Sequence, residues 1–234
     1  MKTLASPQVM QRQSRRWLRE GRRVVLVPTM GALHEGHLSL IRRARKRAGE
    51  EGLVVVSIYV NPTQFNDPKD LKAYPRTLKA DQQLCRAEGV DAVFAPETLY
   101  PEGASVEISE NELALSLEGE HRPGHFAGVM TVVAKLFHLV QPTEAVFGEK
   151  DFQQAAVIRR MIRNLDFPVR IILGPTVRES DGLAMSSRNV RLKGRLREQA
   201  AVLPAALRLA KEFGDGPVAN LKRRLKRLME AQPD

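Results

Sequence analysis

The sequence predicts an α/β fold built on a parallel sheet, and three observations carry that expectation. Short β-branched runs recur along the chain, apolar on consecutive rather than alternating positions, the pattern of strands buried on both faces. Helix-length amphipathic stretches separate them, so strand and helix alternate as in right-handed crossovers. At 234 residues and 43% hydrophobic content, the chain is large enough to bury a substantial core.

The elements follow in order. An opening helix near residues 8–20 precedes a first strand at 23–27. A helix over 38–48 leads to a strand at 53–60, and a helix over 78–88 to a strand at 92–95. Residues 96–128 are rich in turn formers, with one alternating segment (Val106, Ile108) and a basic loop from His121 to His125. We read this stretch as an excursion across the active-site face. Helix 129–140, strand 145–147, helix 152–164 and strand 169–173 complete the alternation. After Asn189 the composition becomes helical, Leu/Ala/Arg-rich and basic, broken by Gly214-Asp215-Gly216-Pro217. The expected organisation is a first domain over 1–177 and a smaller one over 178–234.

Composition narrows the function classes. The longest apolar run, Leu53 to Val60 broken by Ser57, is far below the roughly 20 residues of a membrane span. The N-terminal stretch lacks an apolar signal core, and the single cysteine, Cys85, excludes internal disulfides and cysteine-ligated clusters. The expected location is the cytoplasm. The net charge of +10 raises nucleic-acid binding, but it is concentrated at the ends: residues 1–47 carry +10, residues 48–190 carry −6, and the rest +6. With three Tyr, one Trp and no aromatic-interleaved basic motif, no nucleic-acid partner is expected.

Four segments carry chemistry. In PTMGALHEGHLSL (28–40), a strand runs through Gly31 into a helix, with His34 and His37 one turn apart. A helix N-terminus attracts anions, and imidazoles there can donate to a phosphate. The same pair would suit a metal, given a further ligand of which the sequence shows no obvious candidate, or could be two surface histidines. In SIYVNPTQF (57–65), Asn61 and Gln64 offer uncharged donors and acceptors to a hydroxylated carboxylate; a plain Asn-Pro turn is the alternative. In FGEKDFQQ (147–154), Lys150 is a point charge for phosphate, Asp151 binds a ribose hydroxyl or caps the helix, and Gln154 points back toward the pocket. In LAMSSRN (183–189), two hydroxyls and a guanidinium form a mobile phosphate clamp or an ordinary polar linker.

The early His-x-x-His helix start and the late Met-Ser-Ser-Arg loop resemble the HIGH and KMSKS signatures of nucleotidyltransferases and class I aminoacyl-tRNA synthetases. Six motifs in order, PTMGALHEGH, VNPTQF, YPRTL, RPGHFAGV, VFGEKDFQQ and MSSRN, resemble the pantothenate synthetase (pantoate–β-alanine ligase) family over residues 22 to about 192. The resemblance implies a Rossmann-like domain with a small helical lid. That lid would be shortened here, because the family's second domain is usually longer. It implies condensation of pantoate with β-alanine, using ATP and Mg²⁺, through a pantoyl adenylate, with AMP and pyrophosphate released. It places Met30, Gly31, Ala32, Leu33, His34, Glu35, Gly36 and His37 on ATP, with His37 as proton donor and His34 on the phosphates. Gly148, Glu149, Lys150 and Asp151 would also bind ATP, with Val177 on adenine and Met185, Ser186, Ser187 and Arg188 as a closing loop. The catalytic set is thus His34, His37, Lys150 and Arg188. Gln64, Gln154 and Asn61 would serve pantoate and β-alanine, and Asp81 would contribute to Mg²⁺. A homodimer through the first domain is expected. The competing expectation is another HIGH-type nucleotidyltransferase with a different small substrate.

Overall fold

A computed structural model describes residues 1–232. Six strands form one sheet in the order β1-β4-β3-β2-β5-β6, every neighbouring pair parallel. They are β1 (Lys2–Leu4), β2 (Val24–Thr29), β3 (Leu53–Ile58), β4 (Ala92–Phe94), β5 (Glu144–Gly148) and β6 (Arg170–Gly174). Among the described residues, ten α-helices accompany them: α1 (Pro7–Arg19), α2 (Glu35–Ala48), α3 (Pro68–Ala73), α4 (Leu78–Ala87), α5 (Glu118–His121), α6 (His125–Val140), α7 (Phe152–Asn164), α8 (Arg195–Gln199), α9 (Val202–Glu212) and α10 (Val218–Glu230). This is a Rossmann-like α/β architecture.

The consecutive apolar strand residues have the expected cause. In β2, Val24 and Leu26 belong to one core, with Met10 and Trp17 of α1, Phe137 of α6 and Ile158 of α7. Val25 and Val27 belong to the other, with Ile41 and Ala44 of α2 and Cys85 of α4. All four β2 residues are fully buried. Because side chains alternate across a strand, a strand covered on both faces must be apolar at every position. Each such side chain contributes on the order of 1.5–3 kcal/mol relative to an exposed one.

The chain adds β1, an edge strand of three residues with no apolar run to betray it. The alternating segment at Val106 and Ile108 is irregular instead, with the Ile108 N–H donating to Thr131 Oγ1 at 2.8 Å. Helix α6 starts at His125, a turn before the expected 129, because Gly124 takes a left-handed backbone (φ 79°) that launches the helix there.

The strand order reverses between β2 and β5. From β2 the chain moves outward to β3 and β4; from β5 it moves the other way to β6. In open α/β sheets this is where ligands bind, beyond the carboxyl ends of the strands.

The first compact unit is Met1–Pro175, and a second begins at Thr176. In the second unit, Arg197 donates to Asp181 Oδ2 and Glu179 Oε2, both at 2.6 Å. Asn189 Nδ2 also donates to Glu179, at 2.7 Å. These bonds tie the segment after β6 to α8. The glycine-proline break at 214–217 falls between α9 and α10 as expected, but the basic region forms three helices rather than two.

Candidate active site

The β2–α2 turn is held by internal partners at almost every backbone donor. Thr29 Oγ1 donates to Ser57 O (2.7 Å) and accepts from the Gly31 N–H (3.2 Å). Gly31 and Ala32 both have left-handed backbones, φ 82° and 50°. For alanine that costs on the order of 1–2 kcal/mol. Across the turn sits Asp81 of α4, 2% exposed. Its Oδ2 accepts from the Ala32 N–H at 3.0 Å, and its Oδ1 from the Leu33 N–H at 2.8 Å. Thr77 Oγ1 lies 3.2 Å from each carboxylate oxygen. A Cβ on Gly31 would sit 3.0 Å from Asp81 Oδ2 and 3.0 Å from Ile58 Cγ2, so only glycine fits without displacing them.

The two histidines then cap α2 reciprocally. His34 is the N-cap; its Nδ1 accepts from the Gly36 N–H (3.2 Å), and His37 Nδ1 accepts from the His34 N–H (3.3 Å). This is a capping box made of imidazoles. With each Nδ1 an acceptor, each neutral ring carries its hydrogen on Nε2. The rings are 4.1 Å apart. Burial, followed by the charges of His34 and Lys150, pushes the His37 imidazole down to about 3. The His37 ring is therefore neutral near neutral pH, with its hydrogen on Nε2. The backbone N–H groups of Gly31, Ala32, Leu33, His34 and Gly36 all go to partners inside the protein. What this turn offers an anion is imidazole Nε2–H and the field of the helix terminus.

The second turn joins β5 to α7. The Glu149 N–H donates to Gly174 O (2.9 Å), holding the turn to the end of β6. Lys150 Nζ lies 2.8 Å from Asp151 Oδ1, and both side chains are substantially exposed. Asp151 makes no side-chain cap on α7, which removes one of its two expected roles. Lys150 is close enough to depress His37, so the first and third motifs converge. Gln154 is half-buried in the first turn of α7. Its neighbour Gln153 braces the excursion, with Nε2 donating to Leu113 O and Ser116 O at 2.7 Å each and Oε1 accepting from the Glu118 N–H at 3.0 Å.

The third element is the 3₁₀ turn Pro62–Gln64 after β3. Asn61 is 1% exposed, with its amide engaged inside the protein. Its Nδ2 donates to Gly128 O and Gln64 Oε1, both at 3.1 Å. Its Oδ1 accepts from Tyr100 Oη (2.9 Å) and Thr63 Oγ1 (3.1 Å). Asn61 thus holds the Gln64 side chain and fastens this turn to Gly128 and Tyr100. Gln64 Nε2 reaches Met30 Sδ at 3.2 Å, joining the second motif to the first. A Cβ on Gly128 would lie 2.5 Å from Thr63 O, so glycine there allows α6 to approach this turn.

Sequence reasoning passed over His125, Arg122 and Tyr100. His125 is 6% exposed, its Nδ1 2.8 Å from Gln64 O, and Arg122 Nη2 donates to the same carbonyl at 3.1 Å. Burial lowers the His125 pKa. Its signal was present in RPGHFAGV, one of the six family-like motifs, in which no residue was given a role. Asp81, expected on Mg²⁺, is committed to the β2–α2 turn. Val177, Met185, Ser186, Ser187 and Arg188 lie in the second unit, where Ser186 Oγ accepts from the Arg188 N–H (3.2 Å) and caps a 3₁₀ turn over Ser187–Arg191. His138 is exposed, its ring 5.4 Å from that of Phe167.

A parallel sheet that reverses beside a His-x-x-His helix start defines a Rossmann-like protein of the HIGH-motif class. The family described as pantoate-beta-alanine ligase matches residues 2–234, and the chain belongs to that family. It is 56% identical over 200 residues to a pantothenate synthetase of Akkermansia muciniphila, covering 84% of this chain and 71% of that protein. It is 55% identical over 198 residues to one from Mycolicibacterium smegmatis, covering 84% of this chain and 62% of that protein. Among solved structures, pantothenate synthetase from Thermus thermophilus superposes with a TM-score of 0.90 at 46% identity, covering all of this chain and 83% of that one. The pantoate–β-alanine ligase of Francisella tularensis, complexed with β-γ ATP and β-alanine, gives 0.85 at 36% identity, covering 97% and 86%.

Proposed function

We propose that this chain condenses pantoate with β-alanine, consuming ATP and releasing AMP and pyrophosphate through a pantoyl adenylate. The observation that carries this reading is the His34–His37 helix start at the switch point, with Lys150 in electrostatic reach of His37 and Gln64 bonded to Met30, within a chain of this family. The pantoate carboxylate is the nucleophile, so the protein supplies no covalent group. An oxygen of that carboxylate bonds to the α-phosphorus as the bond to pyrophosphate breaks. The β-alanine amine then attacks the acyl carbon and expels AMP. Negative charge builds around phosphorus, and the neutral Nε2–H of His37, His34 and the Lys150 ammonium oppose it. Gln64, oriented by Asn61 and anchored through its carbonyl by His125 and Arg122, receives pantoate, with Gln154 beside it. The family resemblance assigns Val177 to the adenine and Met185, Ser186, Ser187 and Arg188 to a closing loop.

Among the described residues no cluster of three or more His, Cys, Asp or Glu forms a metal cage. Asp81 is 2% exposed and has both carboxylate oxygens bonded in the β2–α2 turn, so it does not fit as a Mg²⁺ ligand. The ion would arrive with ATP, on its phosphates. We further read the chain as a cytoplasmic homodimer. The first unit carries exposed large apolar side chains, Leu115, Leu117 and Phe152, in segments that Gln153 ties together, and they are candidates for such an interface. No helix among the described residues is long and apolar enough to cross a membrane.

An assay of AMP and pyrophosphate with purified protein tests the reaction. Both products should appear only with pantoate, β-alanine and ATP together, and pyrophosphate with pantoate and ATP alone in a single turnover. Pyrophosphate released with another carboxylate and none with pantoate would favour a different HIGH-type nucleotidyltransferase.

A further inference from the structure

We propose that Asp81 is a positioning residue, which holds the left-handed Gly31–Leu33 turn and thereby aims the imidazoles of His34 and His37. The proposal rests on the reading of those histidines as the phosphate-facing donors. Asp81 reaches across 48 positions of sequence from α4, and its two carboxylate oxygens accept the N–H groups of two successive residues of the turn. Such charge-assisted bonds are stronger than neutral ones. They fall on the two peptides that flank the strained Ala32, whose backbone an L-residue adopts only when its surroundings impose it.

The geometry beyond the carboxylate supports a device rather than a generic core contact. Thr77 is the N-cap of α4, yet its hydroxyl makes no cap bond; it lies against both oxygens of Asp81 instead. Gly31 is the residue that leaves room for the carboxylate, since a Cβ there would crowd Oδ2 at 3.0 Å. Immediately after the clamped peptides the chain enters the His34–His37 capping box. The direction of both Nε2–H groups therefore depends on where the clamp delivers His34. Asp81 itself is 2% exposed, so it acts through the histidines and not on a ligand.

Asp81→Asn keeps the size and turns one acceptor into a donor facing a backbone N–H. In the full chain, kcat for AMP formation should fall about 10- to 100-fold, with the KM for ATP changed less than about threefold, the split expected when aim rather than ground-state binding is lost. In a His37→Ala background the same substitution should cost several-fold less than in the wild type, because one of the two imidazoles that Asp81 aims is already gone. Adding Ala32→Gly to Asp81→Asn should recover part of kcat, since glycine adopts the turn without help. A readout without substrate accompanies these: amide exchange of Ala32 and Leu33 should accelerate at least tenfold in Asp81→Asn, with α2 and α4 unchanged. Unchanged kcat, full additivity with His37→Ala, rescue by excess Mg²⁺, or unchanged exchange would each overturn the proposal. Should Asp81→Asn fail to fold, Thr77→Val is the milder probe: a two- to fivefold lower kcat and faster Ala32 exchange are expected, and no change in either overturns it. A wild-type chain inactive on pantoate refutes the proposed reaction while leaving the exchange result to decide the clamp.

Discussion

The β2–α2 and β5–α7 turns leave the same edge of the sheet from adjacent strands, and they are built in opposite ways. In the first, five backbone N–H groups between Gly31 and Gly36 have partners inside the protein, two of them on a carboxylate from another helix. In the second, the cation is tied to its own neighbour, and α7 begins without a side-chain cap. An exposed pair such as Lys150–Asp151 is worth roughly 0–1 kcal/mol, so an arriving anion displaces it at little cost. A rigid turn suits neutral donors, which help only when aimed at charge developing in the transition state. An exposed, weakly paired cation suits the second turn, because a point charge attracts phosphate from many angles.

The contrast can be broken from either side. The largest expected effect is His37→Ala, which should slow single-turnover adenylate formation by about 10²-fold or more, the scale for losing a transition-state donor. An unchanged rate would remove the reason for the rigid turn. Next is Lys150→Ala, expected to lower kcat/KM for ATP by about tenfold or more, while Lys150→Arg recovers most of it. If Lys150→Arg were as poor as Lys150→Ala, the second turn would need a fixed geometry after all. Gln64→Ala should raise the KM for pantoate about tenfold and leave that for ATP unchanged, which steady-state kinetics would show.

A separate effect falls on stability. His37 is held at about 3, well below the ordinary 6.5 of histidine. The unfolded chain therefore takes up a proton that the folded chain refuses. Stability is complete above about pH 6.5 and falls as pH drops toward 3, with a slope approaching about 1.4 kcal/mol per pH unit from this residue. His125, also lowered by burial, acts in the same direction. The paired carboxylates Glu35, Glu144, Glu179 and Asp181 are lowered too, but they lose stability only as pH falls through the carboxylate range. Urea denaturation between pH 7 and 5 isolates the histidines, and His37→Asn should flatten that part of the curve. An identical slope in the variant would place His37 in water.

Much of this contrast was visible in the residues. Gly31 with His34 and His37, and Lys150 after a β-branched run, mark both turns without coordinates, because strand-end loops at a parallel sheet's carboxyl edge are where such groups gather. The differences arose where one residue's role depends on a distant one. Asp81 looks like a free acid of α4 in sequence, and only the approach of α4 to the β2–α2 turn turns it inward. Asn61 looks like a pocket amide until Tyr100 and Gly128 are seen to occupy it. His125 looks like part of a basic loop until α6 is found to begin there.

The sequence by itself determined the α/β class, the core strands β2 to β6, the four motif loops and the break at 214–217. Those depend on local periodicity, on apolar strands needing cover on both faces, and on backbone shapes that glycine and proline impose. Tertiary structure decided which donors remain for a ligand and which are taken up in holding the site. A hydrogen-bonding group has few places to bond, and the partner that takes them is set by packing between elements far apart in the chain.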